Sequence, residues 1–537
     1  MDRRKFLSRS LAASMLATGR FSRAIAADGP VAGTTAGKIR GLIQGKIISF
    51  KGVPYGASTA GAGRFMPPVK TQPWTGVRDA IRLGPESPQG TWRLLPEQMS
   101  FVPGTETMSE DCLCLNVWTP GMGNTARRPV MVWVHAGGYT NGSGGVTIND
   151  GANLARARDV VVVTLNFRLN AFGYLYLADL GGAKYADSSN IGQLDIIAAL
   201  EWVRDNIAAF GGDAGNVTLW GVSGGGSRVS TLMAMPAAKG LFHKAIVQSS
   251  SALKGIPRDR ATRSAAALMA ALGLKPDQVD ELQKVPMDRL VAATESTPGL
   301  QFGPVVDGRS LPNDPFDPAA PEMSANVPML IGSVETEVTF FQSRGISVQD
   351  DRSLDPLDDA ALHARVKQAM RVDDATADRL IAVYKKGRPN ADNRDVELIM
   401  VSDAQYNAGV RTEAERKAAQ GNAPVYLYYF TWRTPVREGK LRTPHMLEVP
   451  FVFENLDAGK DLTGSGPERY ALAHNMSAAW AAFARTGNPN RKGLPNWPAF
   501  DAGRRATMIF NNESRAVNDP YREERLALNA DAPVGRI

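Results

Sequence analysis

Short apolar segments that alternate with helical segments constrain the fold of this chain more than any other feature. After residue 105, six segments have the composition of buried strands. They are Pro129–Val134, Asp159–Leu165, Val217–Val222, Ala245–Gln248, Val327–Ile331 and Val425–Tyr429. Between them, Leu194–Phe210 carries apolar residues at helical spacing and stops at Gly211-Gly212. The alternation predicts an α/β fold with a large, mostly parallel sheet and helices on both of its faces.

The remaining segments are expected to lie around this sheet. Residues 38–56 predict a small antiparallel set of strands before it. Two segments, at about residues 253–300 and 350–420, are mainly helical or irregular, and we expect them to be insertions over the active edge of the sheet. No Gly- or Pro-rich linker separates folded units. Residues 27–537 are therefore predicted to form a single catalytic domain.

The first 26 residues have the character of an export signal. Arg3-Arg4-Lys5-Phe6-Leu7 precedes a weakly apolar run and the small residues Ala24-Ile25-Ala26, which is the order of a twin-arginine signal and its cleavage site. A disordered basic tail is the alternative interpretation. Six basic residues against one acid give this segment +5 of the formal charge of +7. The remaining +2 gives no support for nucleic-acid binding, and we expect a periplasmic or secreted protein.

Composition excludes several classes of protein. Two Cys exclude a disulfide-dense scaffold and a four-Cys zinc site, and five His leave little room for a His-rich metal centre. No apolar run approaches the roughly 18 residues that span a membrane. Cys112 and Cys114 are expected to be two free, mostly buried thiols.

The candidate catalytic motif is Gly221-Val222-Ser223-Gly224-Gly225. It is a G-x-S-x-G pattern directly after the strand Val217–Val222 and before a segment that can form a helix. A sharp turn between strand and helix strains the serine backbone and exposes its hydroxyl, and the flanking glycines avoid collisions with neighbouring elements. Ser223 is therefore the candidate nucleophile.

A serine hydroxyl needs a base, which is normally a histidine oriented by an acid. The candidates are His135, His243, His363, His445 and His474. A structural, hydrogen-bonded role is the usual alternative for a lone histidine. The position of His445 on a loop beyond a late strand favours it as the base.

Ala136-Gly137-Gly138 follows the strand Pro129–Val134. Small residues allow backbone N–H groups to turn toward a developing oxyanion, together with the amide of the residue after the nucleophile. A simple strand-ending turn would have the same composition.

Further motifs lie outside the serine turn. Phe50–Tyr55 reads FKGVPY, Ser109–Val117 reads SEDCLCLNV, and Phe483–Asn490 reads FARTGNPN. With the serine turn, these segments resemble the type-B carboxylesterase and cholinesterase family of α/β-hydrolases. The resemblance runs from about Lys38 to about Trp497 and implies the α/β-hydrolase fold.

The resemblance also implies roles for individual residues. It makes Ser223 the nucleophile, Glu337 in Gly332–Glu337 the acid, and His445 in His445–Phe453 the base. Gly137, Gly138 and Gly224 would supply the oxyanion-hole amides, and His135 becomes a loop residue beside the hole. Glu335 is the rival acid at the wrong spacing from Gly332.

Two structural ion pairs are implied as well: Glu110 with Arg64, and Arg168 with Asp195.

The chain departs from the family pattern in four places. Val222 replaces the usual Glu, which leaves a more neutral pocket and disfavours cationic, choline-like esters. Gly224 replaces the usual Ala. Val334 replaces an Asn near the acid. Ser87-Pro88-Gln89 stands where the family has C-P-Q, so Cys112 lacks its usual disulfide partner.

These features predict hydrolysis of small carboxylic esters through an acyl-enzyme, with no metal or cofactor. Cleavage of amides, lactones or thioesters by the same groups is the alternative, and a non-catalytic binding protein on this fold is a second one. Candidate pocket residues are Trp92, Phe302, Phe340 and Phe341, for which core packing is the other explanation. The natural substrate and the oligomeric state are not readable from the sequence.

Overall fold

The computed structural model describes residues 29–91, 94–102, 104, 107–123, 125–342 and 354–531. The predicted export signal, residues 1–26, lies outside the described residues, as does Trp92. Both remain predictions.

Strands form at every segment for which the sequence predicts one, and further strands flank them. The strands are β1 (Val31–Gly33), β2 (Lys38–Arg40), β3 (Leu42–Gln44), β4 (Ile47–Pro54), β5 (Val77–Asp79), β6 (Cys114–Thr119), β7 (Arg128–Val134), β8 (Val161–Leu165), β9 (Gly212–Val222), β10 (Lys244–Gln248), β11 (Met329–Val334), β12 (Val425–Phe430), β13 (Ala506–Phe510) and β14 (Arg515–Asn518).

Most of these strands belong to one sheet with the order β14-β13-β12-β11-β10-β9-β7-β8-β6-β4-β3. The seven strands from β8 to β13 in this order run parallel. Antiparallel strands extend both edges. The predicted large, mostly parallel sheet is confirmed.

The helices connect these strands. They are α1 (Ala152–Arg158), α2 (Asn170–Tyr174), α3 (Ala178–Gly181), α4 (Ile191–Asn206), α5 (Gly224–Leu232), α6 (Arg258–Ala271), α7 (Met287–Ser296), α8 (Thr339–Gln342), α9 (Asp359–Met370), α10 (Asp374–Gly387), α11 (Asn393–Ser402), α12 (Ala408–Ala418), α13 (Val449–Phe453), α14 (Lys460–Thr463), α15 (Glu468–Thr486) and α16 (Arg522–Asp531). The helix predicted over Leu194–Phe210 starts three residues earlier and ends in a 3₁₀ turn.

The parallel strands are buried on both faces because successive side chains point to opposite sides of the sheet. Val132 and Leu219 pack with Leu200 of α4 on one side. Trp133 and Trp220 lie on the other side, in one apolar cluster with residues of α15 such as Trp480. The sheet is therefore the middle layer between two helical layers.

Residues 38–56 differ from the expected antiparallel set. Strand β2 belongs to a separate three-stranded sheet and pairs parallel with β5, whereas β3 and β4 pair antiparallel at the edge of the main sheet. Gly41 lies between the two sheets, and a Cβ there would come within 2.5 Å of the Ser49 carbonyl oxygen. The chain changes sheets at this close backbone contact, which alternation of residue types does not reveal.

The two predicted insertions are helical. Helices α6 and α7 lie in the first and pack with Phe172 and Leu175 of the segment after β8. Helices α9 to α12 lie in the second and enclose an apolar cluster around Leu380 and Ile399. No helix within the described ranges is long and apolar enough to cross a membrane.

The two implied ion pairs are present and buried. Arg168 donates to both carboxylate oxygens of Asp195, at 2.9 and 2.6 Å, and its backbone N–H donates to the same carboxylate at 3.0 Å. Arg64 contacts both oxygens of Glu110 and donates to the carbonyl oxygens of Leu282 and Val285. Each pair ties an early loop to a later element.

Both cysteines are free and buried, as expected. Burial raises the pKa of the Cys114 thiol to about 12 and that of Cys112 still further. Both thiols are therefore neutral and unreactive at physiological pH.

The Asp195 pair yields a stability prediction. Asp195→Asn leaves Arg168 buried without a counter-charge, so we expect the free energy of unfolding to fall by about 3–5 kcal/mol. Denaturant-induced unfolding followed by fluorescence measures this change. The control is Asp259→Asn, which breaks an exposed pair with Arg263 and should leave the midpoint unchanged. Equal midpoints for the two variants would contradict the prediction.

Candidate active site

Ser223 lies at a turn whose geometry requires glycine on both sides. Its φ of 57° and ψ of −129° are rarely adopted by residues with side chains. A Cβ on Gly221 would lie 2.6 Å from the carbonyl oxygen of Val134, and one on Gly225 would lie 2.1 Å from the same oxygen. Strand β9 and helix α5 can therefore meet β7 at this distance only without side chains there. Ser223 itself is half-buried at the carboxyl edge of the sheet.

The parallel strands bring the three candidate triad residues to one edge. Ser223 follows β9, Glu337 lies three residues after β11, and His445 lies on the loop after β12. The backbone N–H of Ser223 donates to the carbonyl of Gln248 at 2.9 Å, at the end of β10. Adjacent strands thus end in register, and the loops that follow them converge.

Glu337 and His445 are in direct contact and fully buried. Oε2 of Glu337 contacts Nδ1 of His445. Oε1 of Glu337 accepts the backbone N–H of Val334 at 2.9 Å. The carboxylate is therefore supported by a backbone donor, which does not depend on the side chain at position 334.

The second ring nitrogen of His445 is available. Within the described part of the chain, Nε2 has no hydrogen-bond partner and is buried. Ser223 Oγ makes no hydrogen bond to it in this structure. An imidazole whose Nδ1–H is held by a carboxylate presents an unprotonated Nε2, which is the acceptor that a nucleophilic hydroxyl requires.

The rival residues lie elsewhere. Glu335 pairs with Arg388 at 2.7 Å. His243 accepts the backbone N–H of Val217, and His363 faces acidic residues on the surface. His474 lies beside Arg158. None of these three histidines contacts a triad candidate.

His135 lies between β7 and residues 136–141, which we call the glycine loop. Its ring stacks on Phe167 at 4.2 Å, and Nδ1 lies 2.8 Å from the carbonyl oxygen of Ala136. Burial, with a contribution from the charge of Arg228, lowers its pKa to about 3. The ring is therefore neutral, and it packs against the loop and contacts no triad candidate.

The glycine loop has backbone angles that favour glycine and packs closely on α5. Gly137 and Gly138 have φ values of 109° and 61°. A Cβ on Gly224 would lie 2.1 Å from the carbonyl oxygen of Gly138, so the loop rests directly on the start of α5. No acceptor among the described residues receives the N–H of Gly137, Gly138 or Gly224. Three neighbouring amide donors are thus available beside Ser223.

Three aromatic rings surround His445. Phe341 and Tyr406 lie 5.3 Å from its ring, and Phe340 lies 6.1 Å away. Burial and the charge of Glu337 raise the pKa of Tyr406, so its hydroxyl stays neutral. Sequence reasoning missed Tyr406, which lies on a π-helical turn, Asp403–Asn407, inside the second insertion. No motif marks that turn, although such turns are frequent at functional sites.

Phe302 is separate from this aromatic group. It lines a cleft of about 210 Å³ with Thr140, Asn141 and Asn170, next to the glycine loop. Neither Ser223 nor His445 lines that cleft. Phe302 therefore borders the loop and not the triad residues.

A second buried carboxylate lies close to the pair. Glu448 accepts hydrogen bonds from Gln248 at 3.1 Å and from Ser249 at 3.3 Å. Burial, with repulsion from Glu337, raises its pKa to about 7. Glu448 is therefore a second buried acid beside the Glu337–His445 contact.

The described residues contain no group of three or more His, Cys, Asp or Glu side chains that could hold a metal ion.

Comparisons with known proteins place the chain in a family. Residues 28–529 match the model of the carboxylesterase family. The chain is 35% identical to para-nitrobenzyl esterase from Bacillus subtilis (strain 168) over 508 residues, which cover 92% of this chain and 97% of the relative. It is 32% identical to phenmedipham hydrolase from Pseudarthrobacter oxydans, over 91% and 96% of the two chains.

A solved carboxylesterase from Geobacillus stearothermophilus superimposes with a TM-score of 0.79 at 37% identity, over 93% of this chain and 99% of that one. The predicted α/β-hydrolase fold is confirmed by such neighbours. The matches span nearly the whole described chain, and the protein is a member of the carboxylesterase family.

Proposed function

We propose that this chain hydrolyses carboxylic esters through an acyl-enzyme, with Ser223 as nucleophile, His445 as base and Glu337 as orienting acid. The observation that carries the proposal is the buried Glu337–His445 contact, which leaves Nε2 unpaired at the edge that holds Ser223. Membership in the carboxylesterase family supports the ester as substrate.

In the first step, Nε2 of His445 takes the proton of Ser223 as Oγ attacks the ester carbonyl. Glu337 stabilises the imidazolium and fixes its orientation. The N–H groups of Gly137, Gly138 and Gly224 donate to the oxyanion. Because these donors are already in position, they stabilise the developing negative charge without rearrangement. His445 then protonates the alcohol, which leaves.

In the second step, His445 activates a water molecule that attacks the acyl-Ser223 ester. The same three amides receive the second oxyanion, and collapse of the intermediate returns the proton to Ser223 and releases the carboxylic acid. No metal or cofactor enters this scheme.

The names of two relatives describe action on a para-nitrobenzyl ester and on phenmedipham. We propose small, uncharged aryl or alkyl esters as the substrate class of this chain. Val222, fully buried beside Ser223, places no carboxylate there to attract a cationic alcohol group.

Ser223→Ala tests the nucleophile. We expect kcat for a p-nitrophenyl ester to fall roughly a million-fold, because the hydroxyl that forms the acyl-enzyme is lost. Steady-state kinetics and labelling by a fluorophosphonate, located by peptide mass spectrometry, measure the effect. His363→Gln is the control, since that histidine lies on the surface, and it should retain full activity. Labelling at another serine would overturn the proposal.

Glu337→Gln tests the acid. The amide keeps the volume but offers an N–H or a neutral oxygen to Nδ1, so the imidazole loses its tautomer and its charge stabilisation. We expect kcat to fall about 10⁴-fold with little change in KM. Glu448→Gln is the matched control, since it neutralises the neighbouring buried carboxylate, and its loss should be far smaller. If Glu448→Gln lowered kcat more than Glu337→Gln does, Glu448 and not Glu337 would be the orienting acid.

The alternative reaction types have their own test. Amides, lactones and thioesters can use the same groups, and a matched pair that differs only in ester or amide linkage separates them. We expect turnover of the ester to exceed that of the amide by several orders of magnitude, measured by product formation under identical conditions. Preferred amide turnover would reassign the reaction, and no turnover of either would favour the binding-protein alternative.

A further inference from the structure

Arg228 is a buried cation that the proposed mechanism does not use. It lies on α5, four residues and about one helical turn after Gly224, and its side chain is fully buried. None of the ion pairs between described residues includes Arg228. A buried charge without a counter-charge is costly, so its contacts need an explanation.

The guanidinium of Arg228 is directed at the glycine loop. Nη1 donates to the carbonyl oxygen of Gly138 at 2.6 Å, and Nε donates to the hydroxyl of Tyr174 at 2.9 Å. The rings of Tyr139, Phe167 and Tyr174 surround the guanidinium, with centroids at 4.5, 4.7 and 5.4 Å. Aromatic faces stabilise a desolvated cation, which accounts for its tolerance inside the protein.

Gly224 acts on the same carbonyl group. The space that its Cβ would occupy is filled by the Gly138 carbonyl, whose oxygen is 2.1 Å from that position. Residues four apart on a helix share a face, so Gly224 and Arg228 meet this carbonyl from one side of α5. The absent side chain leaves room for the carbonyl, and the arginine binds it there.

Each neighbouring carbonyl of the loop also has a donor. The Gly137 carbonyl accepts the N–H of Asn141 at 3.0 Å. The carbonyls of Tyr139 and Thr140 accept from the backbone and side chain of Asn170, at 2.7 and 3.2 Å. Arg228 completes this series at Gly138. Since the two glycines impose little preference of their own, these donors determine which way the peptides face.

We propose that Arg228 is a positioning residue of the oxyanion hole: it binds the Gly138 carbonyl, fixes the peptide that follows Gly138, and thereby holds the path of the loop that presents the Gly137 and Gly138 amides to the reacting carbonyl. The inference rests on the proposed function, because it assumes that these amides receive the oxyanion. Its fixed positive charge, one hydrogen bond from the loop, also favours negative charge at the hole in a region shielded from water.

A positioning role and a packing role make different predictions for Arg228→Met. Methionine keeps most of the apolar stem but removes the donor and the charge. If Arg228 orients the hole, the loss appears in transition-state binding, so kcat falls while KM changes little. If it only packs, the folded fraction falls and the remaining enzyme keeps its kcat.

The experiment measures kcat and KM, with the concentration of active sites determined by titration with a fluorophosphonate. It also measures the Ki of a trifluoromethyl ketone, which forms an oxyanion adduct with the serine. For Arg228→Met we expect kcat to fall about 10- to 100-fold, at or below the loss of one oxyanion donor. The Ki should rise by a similar factor. Arg228→Lys keeps the charge and should lose less, so it tests the proposal if the methionine variant fails to fold.

Arg64→Met is the matched control. Arg64 is also buried, lies 5.4 Å from the ring of Phe172, and donates to carbonyls, but those belong to Leu282 and Val285. We expect it to lower stability and leave kcat per active site unchanged. An Arg228→Met enzyme that behaves in the same way would overturn the proposal.

A double-mutant cycle with Gly224→Ala tests the shared carbonyl. The added methyl group displaces the Gly138 carbonyl, so Arg228 can no longer hold it in place. We expect kcat of the double variant to lie within about threefold of kcat of the less active single variant. If the two effects were independent, the two losses in kcat would multiply. Multiplied losses would refute the coupling. Hydrolysis that persists in Ser223→Ala would refute the proposed function instead, so the two failures are distinguishable.

Discussion

Backbone packing without intervening side chains is the constraint on which the active-site edge depends. The turn at Ser223 lies against β7 and the glycine loop so closely that a Cβ at Gly221, Gly224 or Gly225 would meet a carbonyl group. This contact places Ser223, the candidate nucleophile, next to the glycine loop and the start of α5. Their relative position depends on main-chain packing at these glycines.

Charge is distributed around this edge in separate compartments. Glu337 lies with His445, Glu335 lies with Arg388, and Arg168 lies with Asp195. Glu335 and Asp195 each pair with an arginine, whereas Glu448 accepts hydrogen bonds from the neutral side chains of Gln248 and Ser249. Among these carboxylates, the one in contact with His445 is Glu337.

The strands and the serine turn follow from the sequence because they depend on local patterns, whereas Glu337 was assigned as the candidate acid only through the resemblance to the family. An apolar strand followed by G-x-S-x-G predicts a sharp turn between strand and helix. Parallel strands end at the same edge of the sheet, whatever the length of the connections between them. Tyr406 and Arg228 could not be found in this way. Tyr406 reaches His445 through a π-helical turn in an insertion, and Arg228 acts through a carbonyl on a distant loop. Both depend on contacts between segments that share no motif. The split of residues 38–56 between two sheets has the same origin.

The two buried thiols have a consequence for how the chain matures. In the place where relatives of this sequence type are expected to carry a disulfide, Cys112 lies beside Ser87 and both cysteines remain reduced. No covalent cross-link is then needed to close the loops around β6. The native state of this chain therefore requires no oxidation of its thiols.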